Sequence, residues 1–245
     1  MASNPPGSCC IARVKHEGTA VGRMQKVAGI ETYLSYPESK STENAILIMT
    51  DVFGHEFINV QLIADQFAAN GYFVAIPDLF NGDAVPVDRP AEFDLMKWLQ
   101  GHTTPHVDPI IAAVSKELKS SMGAKRLGGV GYCFGAKYVC RFLKDGKIDV
   151  GYIAHPSFVD AAELRGIHGP LSISAAETDE IFPASKRRES EDILLDIKAT
   201  YQINLFPGVE HGFAVRADIT KKQIKFAKEQ AFLQAVSWFD EHLKA

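Results

Sequence analysis

Gly131-Tyr132-Cys133-Phe134-Gly135 sets a cysteine between two glycines, at the joint between an apolar strand pattern over 126–132 and a helical pattern over 134–145. This is the spacing of a nucleophile elbow, G-x-S-x-G, with cysteine in the serine position. So sharp a turn strains the backbone at the nucleophile, and a side chain two residues before or after it would strike the neighbouring strand or helix. The helix N-terminus beneath the thiol, and a nearby histidine, would each favour the thiolate that attacks a carbonyl carbon. Taken alone, the five residues also fit a buried cysteine at a glycine-rich strand end.

Two more groups fall in matching places. A strand pattern over 171–175 runs into Ala176-Glu177-Thr178-Asp179, and another over 201–205 runs into Phe206-Pro207-Gly208-Val209-Glu210-His211. Nucleophile, acid and histidine thus occur in the order Cys133, Asp179, His211, each after a strand of what reads as a parallel sheet. Loops at the carboxyl ends of such strands share one edge, where ligands bind. This is the chain order of an α/β-hydrolase. His211 would keep the thiol ionised and protonate the leaving group, and Asp179 would fix the imidazole tautomer. Oxyanion donors are expected from the N–H of Phe134 and from the loop 50–54, with Val52 the choice within it.

The elements that must position these groups follow from patterning. Residues 24–27 and 30–36 read as an edge hairpin, and 45–49 (Ala-Ile-Leu-Ile-Met) as a strand buried on both faces. Helical spacing covers 59–70, 108–122, 185–197 and 220–242, with further strands at 72–76 and 150–154. The expectation is a single α/β domain, 1–245, with about eight strands in a mostly parallel sheet covered by helices on both faces. Residues 1–20 are expected to form an N-terminal arm, flexible over 4–8. Residues 81–105, with Pro86, Pro90 and Pro105, read as the longest irregular stretch and a rim over the site.

Composition narrows the function classes. The chain has 245 residues, with 26 Lys plus Arg against 30 Asp plus Glu, a formal charge of −4 and no basic run for a nucleic acid. No apolar stretch reaches the roughly 20 residues of a membrane span, and the first ten residues lack the apolar core of a signal peptide, so a cytoplasmic location is expected. Four cysteines are too few for a disulfide framework; Cys140 reads as a small core residue, and Cys9 and Cys10 as a pair in the arm. His55-Glu56 begins like a zinc motif but ends at Asn59, and Pro105 separates His102 from His106, so neither metal nor cofactor is expected. Gly129-Val130-Gly131 lacks the third glycine of a dinucleotide fingerprint, the position being Phe134.

The sequence resembles the dienelactone hydrolase family over residues 46 to the C-terminus. The shared residues are Asp51-Val52-Phe53-Gly54, Asn59, Ala64-Asp65, Asn70-Gly71-Tyr72, Pro77-Asp78-Leu79-Phe80, the elbow around Cys133, and His211-Gly212-Phe213-Ala214. The resemblance implies an α/β-hydrolase fold and a Cys-Asp-His triad at Cys133, Asp179 and His211. It also implies that Asp51 contacts the cysteine and modulates its ionisation, at a place where bacterial members usually carry glutamate. Two arginines that bind the substrate carboxylate in those enzymes are not matched: Asn81-Gly82-Asp83 replaces one, and Arg216 stands five residues after the histidine rather than four. Dienelactone itself is therefore not carried over as substrate.

The expected activity is hydrolysis of a lactone, ester or thioester through a Cys133 acyl-enzyme. Phe57, Phe80, Trp98, Tyr132 and Phe213 are candidates for an apolar pocket, and Arg89 and Arg216 for an anionic group. The expected partner is a small acyl substrate, with no nucleic acid or membrane, in a monomer or homodimer. A hydrolase-like binding or regulatory protein with little turnover is the alternative. A class I amidotransferase is a weaker one, because His155-Pro156-Ser157 lacks the glutamate of that family's His-x-Glu pair.

Overall fold

The computed structural model describes residues 2–5 and 15–244; Cys9, Cys10 and the rest of the arm's 6–14 lie outside the described residues. β1 (Arg23–Val27) and β2 (Ile30–Ser35) form the expected antiparallel hairpin. β3 (Asn44–Met49), β4 (Phe73–Pro77), β5 (Arg126–Tyr132), β6 (Val150–Ala154), β7 (Leu171–Thr178) and β8 (Tyr201–Glu210) are parallel to one another, and β2 joins β4 antiparallel. The sheet order is β1-β2-β4-β3-β5-β6-β7-β8. Both the α/β class and the eight-stranded, mostly parallel sheet are as expected.

The helices are α1 (Ile58–Ala69), α2 (Leu95–Gln100), α3 (Thr104–Ser120), α4 (Gly135–Lys144), α5 (Ala161–Arg165), α6 (Ala184–Asp196), α7 (Phe213–Arg216) and α8 (Lys222–His242). Successive residues of a strand point to opposite faces, and β5 shows how both are covered. A Cβ on Gly128 would meet the Phe239 ring of α8, whereas one on the adjacent Gly129 would meet Ile148 and Val139, the latter on α4. Phe67 of α1 packs against Phe232 and Phe239 of α8 on the first face; Arg141 of α4 pairs with Asp108 of α3 on the second. With both faces covered, β3 and β4 are apolar and buried almost throughout. Among the described residues no helix is long and apolar enough to cross a membrane.

This topology creates a crevice. After β3 the chain crosses by α1 to β4 on one side, and then returns by α3 to β5 on the other, so the carboxyl ends of β3 and β5 diverge in connection while remaining paired at Met49 and Gly131. Such a switch point is where α/β sheets bind ligands. Asp51 and Val52 leave β3 there, and Cys133 leaves β5.

Three departures from the sequence reading have local causes. The 81–105 stretch contains α2, started by Asp94, whose carboxylate accepts from the N–H groups of Met96 and Lys97. Helix α3 begins at Thr104 rather than 108, because Pro105 sits in its first turn, where a missing N–H costs nothing. At the N-terminus, Asn4 is held rather than loose: its N–H donates to Ile181 O at 2.7 Å and its Nδ2 to Glu180 O at 3.0 Å. Ala2 and Ser3 are buried beside it.

Candidate active site

The elbow is built as its residue types require. Cys133 has φ +51°, in the left-handed region that a non-glycine residue enters only at a cost. Its N–H donates to Ala154 O, tying the turn to β6. A Cβ at Gly131 would fall 2.7 Å from Ala136 Cα on α4, and one at Gly135 would collide with the Met49 carbonyl of β3. The two glycines therefore let helix and strand close on the cysteine from both sides. The sulfur is fully buried. Cys140 is buried one helical stretch further on, and burial pushes its thiol well up, which keeps it protonated.

Asp179 follows directly on β7. One carboxylate oxygen accepts from the N–H groups of Ile181 (2.8 Å) and Phe182 (2.9 Å), which aims the group. His211 Nδ1–H donates to both Asp179 oxygens, at 2.9 and 3.0 Å, and the two side chains are almost wholly buried. Burial alone would lower the His211 pKa; the adjacent Cys133 and the hydrogen bonds to Asp179 and Cys133 outweigh it and raise it to about 10. The structure thus brings Cys133, Asp179 and His211 into one hydrogen-bonded row from loops after β5, β7 and β8.

Asp51, from the loop after β3, is close enough to Cys133 for their charges to interact. Its carboxylate accepts from Arg216 at 2.6 Å and from the Phe53 N–H at 3.0 Å, with both members of the ion pair buried. Burial raises the Asp51 pKa, Arg216 opposes this, and Cys133 adds to it. Arg216, a candidate for an anionic substrate group, has its charge matched within the protein and also lies over the Phe53 ring at 5.8 Å. Arg89 is partly buried in the rim segment. Among the described residues, neither the Val52 nor the Phe134 N–H is taken by another group, whereas the Val52 carbonyl accepts from Val85 N–H and anchors the rim.

The aromatic candidates are all buried but do not form one surface. Phe80, Trp98 and Phe134 pack together with His102. Phe57 joins Phe53 beside the Asp51 loop, and Tyr132 and Phe213 flank His155.

In the sequence the turn after β6 reads only as an incomplete His-x-Glu pair, with no place in the site. His155, fully buried with φ +39°, meets His211 edge-on with ring centroids 5.0 Å apart, and among the described residues neither of its ring nitrogens has a hydrogen-bond partner. Burial, followed by the charges of His211 and Arg216, holds it neutral, well below the ordinary value. The Ser157 hydroxyl lies 3.3 Å from the Cys133 sulfur. The available signal was positional: β6 ends on the same edge as its neighbours, so its loop had to approach the site.

Residues 30–243 match the profile of the Dienelactone hydrolase family. The chain is 54% identical to "Hydrolase pyvD" of Aspergillus violaceofuscus over 244 residues and 52% identical to "Hydrolase tropI" of Talaromyces stipitatus over 252, covering all of this chain and 100% and 99% of those proteins. Among solved structures, a putative dienelactone hydrolase from Klebsiella pneumoniae superposes with a TM-score of 0.76 at 13% identity, covering 91% of this chain and 99% of that one.

Proposed function

The chain belongs to the dienelactone hydrolase family, and on that premise we propose that it hydrolyses a lactone, ester or thioester through an acyl-enzyme on Cys133. The observation that carries the reading is the row Asp179–His211–Cys133, with His211 raised to about 10 and so cationic at neutral pH beside the sulfur. An imidazolium there is the counterion of a thiolate.

In the first step the Cys133 thiolate attacks the acyl carbon, and the carbonyl oxygen becomes an oxyanion. The Val52 and Phe134 N–H groups, without partners among the described residues, are the donors this reading assigns to it. The tetrahedral species collapses as the acyl–oxygen or acyl–sulfur bond breaks, and His211 gives its Nε2 proton to the leaving group. Neutral His211 then takes a proton from water, the hydroxide attacks the thioester, and a second collapse returns the thiolate and a carboxylic acid. Asp179 keeps the Nδ1 proton in place throughout. Alcohol and thiol leaving groups suit this order of events better than an amide nitrogen, whose expulsion demands protonation first.

A panel of lactones, aryl esters and thioesters tests the reading. Hydrolysis is expected with wild type and lost in Cys133→Ala, and Asp179→Asn is expected to reduce kcat by up to about 10⁴-fold by presenting the wrong tautomer. Equal turnover by wild type and Cys133→Ala would remove Cys133 as the nucleophile.

A further inference from the structure

We propose that Ser157 is a catalytic residue of this site: its hydroxyl donates a hydrogen bond to the Cys133 thiolate, sharing the negative charge before attack and again when the thiolate departs. The proposal rests on the reading of Cys133 as nucleophile.

Both groups are fully buried, with Sγ and Oγ 3.3 Å apart. With the sulfur a thiolate, only the serine can donate. The same residue also grips the elbow through its backbone, the Ser157 N–H donating to Cys133 O at 3.0 Å. Main chain and side chain of one residue therefore hold one cysteine.

The turn that presents Ser157 is strained and tied down. His155 (φ +39°) and Phe158 (φ +62°), on either side of it, are left-handed without being glycine, as is Cys133 itself. Such conformations persist only where surrounding contacts over-determine them, and they gather at functional sites. Here the contacts come from the far end of the chain. The Ser3 N–H donates to Val159 O at 3.1 Å, Ser3 Oγ accepts from Val159 N–H at 2.8 Å, and Asn4 O accepts from Phe158 N–H at 3.1 Å. Because Asn4 also donates to Ile181 O and Glu180 O, residues 3–4 strap the Ser157 turn to the loop that carries Asp179.

Chemistry gives the hydroxyl a purpose. The charged and titratable groups gathered around the cysteine are Asp51 from the β3 loop and His211 from the β8 loop, which both interact with Cys133, together with their own partners: Arg216 from α7 on Asp51, Asp179 from the β7 loop on His211 Nδ1, and His155 from the β6 loop against the His211 ring. Asp51 is an acid close enough to oppose a thiolate, and Arg216 is engaged with it. A neutral donor stabilises the thiolate without adding a charge to this crowded set. Acylation turns the sulfur into a poor acceptor, so the bond weakens in the thioester and re-forms as the thiolate leaves. The proton balance is unchanged: the thiol proton resides on His211 Nε2, and Ser157 keeps its own.

The experiment is the pH profile of iodoacetamide alkylation at Cys133, followed by intact mass, with Cys133→Ala defining labelling elsewhere. In Ser157→Ala the midpoint for thiolate formation is expected to move up by about one unit, as for loss of a hydrogen bond to a charged group. The value of kcat should fall with KM little changed. Ser157→Gly, which keeps the N–H bond to Cys133 O, carries the same expectation should the alanine variant not fold. A purely structural role would change the limiting rate at high pH and leave the midpoint in place, and that result overturns the proposal. If Cys133→Ala retains hydrolysis, the nucleophile reading fails instead, while the alkylation profile still reports whether Ser157 bonds the sulfur.

Discussion

Replacing Arg216 by methionine removes one member of an ion pair whose side chains are only 1% and 2% exposed and whose atoms meet at 2.6 Å. Methionine retains much of the arginine's apolar stem, so the loss is chiefly that of the charge. The variant leaves Asp51 buried with the Phe53 N–H and no cation, and breaking a buried pair in this way costs about 3–5 kcal/mol. The cost must depend on pH. In wild type, burial has already raised the Asp51 pKa against the pull of Arg216, so the native state holds its proton more tightly than the unfolded chain. Stability from this group is complete below the unfolded value and is lost as pH rises through the folded one. Without Arg216 the folded value climbs further, and the loss extends to higher pH. Urea denaturation at pH 5 and pH 8 is the assay. The Arg216→Met deficit should be large at pH 8 and shrink toward pH 5, and adding Asp51→Asn should recover most of it at pH 8. A deficit independent of pH, or no recovery with Asp51→Asn, would refute the reasoning.

The remaining predictions concern the elbow and its histidine. Because the neighbouring Cys133 raises His211, Cys133→Ala should lower the imidazole pKa from about 10, as followed by NMR titration of the ring; an unmoved midpoint would sever the two groups. The same raised value implies a stability contribution that is complete below about pH 6.5 and lost as pH rises through about 10, visible as a falling Tm in alkaline buffer that Cys133→Ala flattens. Gly135→Ala should cost at least about 1–3 kcal/mol, since backbone at Met49 has to move, and a wild-type melting curve would disprove the close approach.

How far the sequence could be read depended on whether the cause was local. The apolar run of β3 and the glycines around Cys133 record local burial and close packing, and they marked the sheet centre and the turn. Chain order then placed Asp179 and His211 on one edge, because parallel strands put all their following loops together. Helix α2 was illegible: six residues with three buried are too few for a helical period to show, and its start depends on a single Asp94 cap. Arg216 read as a candidate for an anionic substrate group, because its partner Asp51 is 165 residues away and nothing near either residue marks the pairing. The docking of Ala2, Ser3 and Asn4 was hidden for the same reason, since small polar residues beside Pro5 resemble a loose end unless the turn that receives them is known.

Complete burial of the Cys133 sulfur bears on how this protein survives oxidants. Peroxide converts an accessible thiolate to sulfenic acid and then to irreversible oxides, at a rate set by thiolate character and by access. Here the second factor is closed in the resting structure, where Cys133 is fully buried. Oxidation of this thiol in air or peroxide is therefore limited by how often the surrounding packing opens, and under the proposed acyl-enzyme mechanism that opening belongs to turnover rather than to rest.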